Sequence, residues 1–171
     1  MKKLICEKAG LIIKNRIQLT EALNVEITNR GKEIYIDGHP EEEYFAEKVI
    51  DAINFGFSVS TALLIKKEDL IFEILNIKEH TTRKDLERIR GRIIGKEGKA
   101  LKVLTTLTGC FFEMNENQIG IIGSPECIQN AQNACISIIK GSKHANVYCH
   151  LEKNRPEKVY DLGLKEIKKK K

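Results

Sequence analysis

The stretch RIIGKEGKALKV, Arg92 to Val103, sets two glycines around a Lys-Glu pair, between an apolar run and a helical pattern. Paired glycines mark a turn that needs positive φ or a close approach of another chain to the backbone. After them, Leu101, Leu104 and Leu107 fall on one helical stripe, and Gly109 ends that helix. Before them, Leu86, Ile89 and Ile93 share a face of a second helix, opened by Thr82 and Asp85 at capping-box spacing. Gly95 to Gly98 therefore reads as a tight loop between two amphipathic helices.

The same unit occurs twice. Laid over Ile119–Ile138, the stretch Ile34–Ile53 puts Gly38 on Gly123, Pro40 on Pro125, Glu41 on Glu126 and Ala46 on Ala131, all 85 apart. Val25 on Cys110 and Leu19 on Leu104 keep that offset, whereas Gly10, Ile12 and Ile13 match Gly91, Ile93 and Ile94 at 81. The difference of four is the block Gly95-Lys96-Glu97-Gly98, which the first copy lacks.

Each copy reads strand, helix, helix, strand, strand, helix. The first strands are KKLIC and DLIFEILNI; the later pairs are NVEIT with KEIYI, turned by NRG, and CFFEM with QIGII, turned by NEN. The second copy's last helix starts at Ser124-Pro125-Glu126, with serine at the cap and proline in the first turn. The expected fold class is α+β: a unit over 1–56, a bridging helix over 57–68, a unit over 69–142, and an extension over 143–171 ending in KEIKKKK.

Of the 171 residues, 42% are apolar and 31% charged, enough for one medium or two small cores. No apolar run reaches membrane-span length, and Glu7 and Lys8 interrupt the amino-terminal patch too early for a secretory signal. A soluble, cytoplasmic protein is expected. Thr82 to Lys102 carries eight Lys/Arg against three Asp/Glu, whereas Met1 to Gly56 carries eight against ten. Positive charge focused on the glycine loop points to a polyanion there. The five cysteines form no C-x-x-C pair; Cys110, Cys127 and Cys135 read as small core residues. His144, Cys149 and His150 cluster in sequence, but reduced thiols without metal are the better reading.

The element order and the match GRIIGKEGKALKVLTTLTGC resemble a type I KH domain. The pairing of two such units, FGFSVSTALLIKKEDL between them and VYCHLEKNR after the last helix, is similar to the dual-KH small-subunit ribosome assembly factors of archaea and eukaryotes, known as partners of the Nob endonuclease. Archaeal relatives usually keep the loop in both copies and eukaryotic ones lose it from the first. The resemblance implies two tandem KH domains, the first degenerate, and a noncatalytic protein binding single-stranded small-subunit rRNA near its mature 3′ end, with a Nob-type endonuclease and other assembly or initiation factors as partners.

The loop residues suit that role. Gly95 and Gly98 let a phosphate chain approach the main chain, and the following helix turns its positive end toward it. Lys96 projects from the tip, flanked by Arg92 and Lys99, with Lys102 one turn on; about four nucleotides are gripped by such a loop. The bases are expected in an apolar groove with Ile94 and Val103 on one wall and Phe112 or Ile121 on the other. Glu97 opposes phosphate and is expected to face solvent. Ile94, Val103 and Phe112 also fit ordinary core positions, and Arg83, Arg88 and Arg90 also fit a solvated helix face.

Catalysis is not expected. GRIIGKEGK lacks the G-x-x-x-x-G-K-[ST] of a nucleotide-binding loop, and neither G-x-G-x-x-G nor a nucleophile elbow occurs. No cofactor or metal is implied. Two other readings stay open: a KH regulator of other RNAs, and a protein-interaction adaptor with a vestigial RNA site.

Overall fold

The computed structural model describes residues 1–154. The first half runs β1 (Lys2–Ile5), α1 (Ala9–Lys14), α2 (Arg16–Leu23), β2 (Glu26–Arg30), β3 (Glu33–Asp37) and α3 (Pro40–Phe55). After α4 (Val59–Lys67) the order repeats as β4 (Ile71–Asn76), α5 (Leu86–Ile94), α6 (Lys99–Thr108), β5 (Phe111–Asn115), β6 (Gln118–Gly123) and α7 (Pro125–Lys140). A final helix, α8 (His144–Lys153), follows. Each half forms an antiparallel three-stranded sheet, ordered β1-β3-β2 and β4-β6-β5, with the last strand in the middle.

The duplication read from sequence is also a duplication of packing. Ile12 and Ile93, Leu19 and Leu104, Val25 and Cys110, and Ala46 and Ala131 are all buried in their respective cores. The glycines repeat as well. A side chain on Gly38 would collide with Val25, and one on Gly123 with Cys110. In both halves the residue leaving the second helix thus packs on a glycine at or just past the end of the central strand.

The halves differ where the four residues are missing. Asn15 alone joins α1 to α2, serving as C-cap of one and N-cap of the other. Gly95–Gly98 joins α5 to α6.

Three local expectations need correction. Helix α5 starts at Leu86, not near Thr82, because Asp85 caps it by accepting from the Arg88 N–H at 3.1 Å. Strand β4 stops at Asn76, whose side chain accepts from the Lys78 N–H and opens a 3₁₀ turn over Ile77–His80. Ser124 holds the N-cap position of α7, but its hydroxyl makes no capping bond; its carbonyl accepts from the N–H groups of Cys127 and Ile128.

Helix α4 does more than bridge. Ala62, Leu63 and Ile65 are buried in the first core, and Lys66 Nζ donates to the Leu23 carbonyl at 2.7 Å, satisfying an acceptor at the end of α2. Helix α8, within the stretch read as an extension, packs on α6 and α7 and buries Val147 and Leu151. The lysine-rich end at 165–171 lies outside the described residues.

The two halves meet through aromatic rings. Phe55, Phe57 and Phe72 pack with centroids 5.8–6.2 Å apart, against the outer face of the second sheet. Gly120 makes room: a Cβ there would stand 2.6 Å from the Phe55 ring and 2.7 Å from that of Phe57. Asn115 Nδ2 donates to the Phe55 carbonyl at 3.0 Å across the same junction. Among the described residues, no helix is long and apolar enough to cross a membrane.

Candidate nucleic-acid interface

Helix α5 ends because Gly95 takes φ 73°, ψ 175°. Glu97 (φ 56°, ψ 30°) and Gly98 (φ 73°, ψ 11°) are also at positive φ, so three of the four loop residues lie where side chains are disfavoured. The two glycines serve different ends. Gly95 packs onto the first turn of α6, where a Cβ would stand 2.6 Å from Ala100 Cβ, whereas a Cβ on Gly98 would meet open space. The first glycine shapes the loop; the second leaves a bare stretch of backbone facing outward.

Lys96, Glu97, Lys99 and Lys102 are exposed. Lys99 Nζ lies 3.7 Å from Glu97 Oε2, with both side chains more than 70% exposed. So solvated a pair holds Lys99 weakly and leaves it available to another anion. Glu97 thereby offsets its neighbour's charge.

Beside the loop lies a groove of about 570 Å³, with Arg90, Gly91 and Ile94 of α5, Leu101 of α6, and Phe112 and Met114 of β5 on its walls. Glu87, Glu113 and Glu116 complete its lining, and Arg90 Nη1 donates to the Glu116 carbonyl at 3.3 Å. An apolar floor with polar edges can receive flat rings and pair their hydrogen-bonding edges.

Of the residues expected here, Ile94 and Phe112 line the groove and Gly95, Lys96, Glu97, Gly98 and Lys99 form the adjoining loop. Ile121 does not line it. It is fully buried opposite Phe112, on the central strand beneath the helices, while Phe112 on edge strand β5 reaches the opening. Val103 is exposed but stands two residues from Leu101, roughly 200° around α6, and is not among the lining residues. Arg92 is tied down: its Nη2 donates to the Ser142 carbonyl at 2.7 Å, and its own carbonyl bonds His144 Nε2 at 2.9 Å. Leu101 and Met114 were missed. The two-residue period of a strand places Met114 on the Phe112 face, and Leu101 passed for a core position on its stripe.

Among the described residues, no group of three or more His, Cys, Asp or Glu side chains could hold a metal ion. His144 bonds the Arg92 carbonyl, His150 faces Asn154, and Cys149 is exposed. Burial pushes the Cys110 thiol up to about 11 and that of Cys135 to about 12.

The segment that carries the loop and the groove matches a known family. The sequence model of the second KH domain of PNO1, described as a eukaryotic type KH-domain (KH-domain type I), matches residues 71–156. This chain belongs to that KH family. A KH domain-containing protein of Methanocaldococcus jannaschii is 28% identical over 91% of this chain and 65% of its own length. The pre-rRNA-processing protein pno1 of Aspergillus oryzae is 33% identical over 63% of this chain and 43% of its own. The chain thus spans less than two thirds of these curated relatives. Among solved structures, Dim2p of Pyrococcus horikoshii superposes with TM-score 0.81 at 25% identity, covering 89% of this chain and 98% of that one. An a/eIF2alpha-aDim2p-rRNA complex from the same organism gives 0.80 at 25%, covering 90% and 93%. The matched KH segment contains the loop, the groove and α8.

Proposed function

We propose that residues 69–142 are an RNA-binding KH domain that grips single-stranded small-subunit rRNA near its 3′ end during late ribosome assembly, without catalysis. The observation that carries this is the positive-φ Gly95–Gly98 loop, whose exposed lysines adjoin a groove of about 570 Å³ with Ile94, Leu101, Phe112 and Met114 on its walls. The names of the pre-rRNA-processing relatives and of the rRNA complex support the choice of RNA.

The first half is a second, degenerate KH domain over 1–56, joined through the helix at 57–68. Its sheet order and core repeat those of the second half, but Asn15 stands where the loop would be. It offers no accessible loop backbone and serves as scaffold or docking surface, for which a Nob-type endonuclease is a fitting partner. Residues 143–171 form the C-terminal extension, its first part packed on the RNA-binding half.

Titration of a single-stranded RNA at fixed salt tests the clamp. Lys96→Asp should weaken binding strongly while leaving thermal unfolding nearly unchanged, since Lys96 is exposed. Equal binding by the variant defeats the loop assignment. Sequencing of RNA crosslinked in cell extract tests the substrate: a peak at the 3′ end of small-subunit rRNA is expected, and its absence argues for another RNA. Grafting Gly-Lys-Glu-Gly between Ile13 and Lys14 tests the division of labour. In the full chain the graft should raise the number of RNA strands bound from one to two, and the scaffold reading fails if the ungrafted chain already binds two.

A further inference from the structure

A basic trough runs along the flank of α5 turned away from the groove. Arg83, Arg88 and Arg92 line one part, about 260 Å³; Arg83 continues into a second part, about 530 Å³, with Lys78, His80 and Lys140. Two guanidinium groups converge at Gly141, where a Cβ would stand 3.4 Å from Arg83 Nη2 and 3.8 Å from Arg92 Nη1. Both nitrogens thus lie within about 7 Å of each other, and like charges at that range repel unless an anion joins them.

Among the described residues, no carboxylate pairs with these groups. Glu79 and Asp85 are the carboxylates on the lining. Asp85 accepts from the Arg88 backbone as helix cap, and Glu79 accepts from Asn76 Nδ2 at 3.2 Å. Among the described residues, no salt bridge involves Lys78, Arg83, Arg88, Arg92 or Lys140. The bond from Arg92 to the Ser142 carbonyl fixes one wall of the trough.

The trough begins close to the loop. Arg92 precedes Gly95 by three residues, roughly 4.5 Å along the helix axis. Arg88 and Arg92, four apart, share a flank, while Arg90, Gly91 and Ile94 face the groove on the other side.

We propose that this trough holds phosphodiester groups of the same RNA strand, beyond the four nucleotides at the loop. The strand rounds the end of α5 and continues along its opposite flank. This rests on the reading of Gly95–Gly98 as the RNA clamp. Forked guanidinium donors suit phosphate oxygens, and the one apolar side chain on the first part, Ile89, is buried. Contacts of this kind position a strand and add affinity without reading its sequence.

The test uses the full chain carrying Arg83→Gln and Lys140→Gln, both exposed positions. Binding is measured over a range of salt with a four-nucleotide RNA and with a longer strand containing it. For the longer strand the slope of log K against log salt should become shallower by roughly 1.4, about 0.7 for each phosphate no longer neutralised. Binding of the four-nucleotide RNA should be unchanged. Unaltered slope and affinity for the longer strand overturn the proposal, as does an equal weakening for both lengths, which would place the two residues in the clamp itself. Lys96→Asp, measured alongside, separates the two readings: it should weaken both lengths, and normal binding by that variant removes the clamp whatever the trough does.

Discussion

Gly95 and Ala100 touch across the start of α6: a Cβ on Gly95 would stand 2.6 Å from Ala100 Cβ and 2.8 Å from the Ala100 nitrogen. The first glycine of the loop is therefore fixed by an internal contact. Gly95→Ala should lower stability by about 3 kcal/mol, combining left-handed strain with overpacking. Gly98→Ala, in open space, should cost about 1 kcal/mol. Denaturant unfolding of the two variants checks the order, and adding Ala100→Gly to Gly95→Ala should recover little, because the close approach to the backbone nitrogen of residue 100 remains.

The junction between the halves rests on another bare position. Gly120→Val drives two methyl groups into the rings of Phe55 and Phe57. A destabilisation of about 2 kcal/mol is expected, read as a lower melting temperature. Since the loop and groove lie on other elements, binding of a four-nucleotide RNA to the folded variant should change little.

Asp51 on α3 is half-buried, and burial, aided by the Glu47 charge, raises its carboxyl above the ordinary value. A carboxyl that binds its proton more tightly when folded favours the folded state below its unfolded pKa, and that benefit is lost as pH rises through the folded pKa. At neutral pH the ion is a burden. Asp51→Asn should thus raise the melting temperature at pH 7 by up to about 3 °C, and the gain should vanish near about pH 3. Melting curves at both values decide it.

The thiols should divide by burial. Alkylation at about pH 8 should reach exposed Cys149 first, while Cys110 and Cys135, with pKa values pushed up to about 11 and about 12, react only as the chain unfolds. Peptide mass spectrometry over time gives the order.

The sequence made the fold legible where glycine and apolar periodicity recur. The offset of 85 aligned Gly38 with Gly123 and Val25 with Cys110, and these are the packed pairs at the two central strands. The missing block put the absent loop between Ile13 and Lys14, whereas α1 runs through Lys14 and the single-residue junction is Asn15. What failed depended on neighbours distant in sequence. Ile121 and Phe112 are both large and apolar, and only their central and edge placement separates core from groove. Thr82 and Asp85 read as the two ends of one capping box, but Asp85 itself is the cap, accepting from the Arg88 N–H. The helix at 144–153 escaped notice because its buried side chains, Val147 and Leu151, are few among polar residues.

The packing of Phe55 and Phe57 on Gly120 sets how this protein can be dissected. Scissors placed ahead of Ile71, where the repeat invites them, would bare two phenyl rings on one fragment and leave a trench in the sheet of the other. A tandem gene can be split on paper at its seam; this polypeptide has been welded there, and its parts are best studied by substitution within the intact molecule.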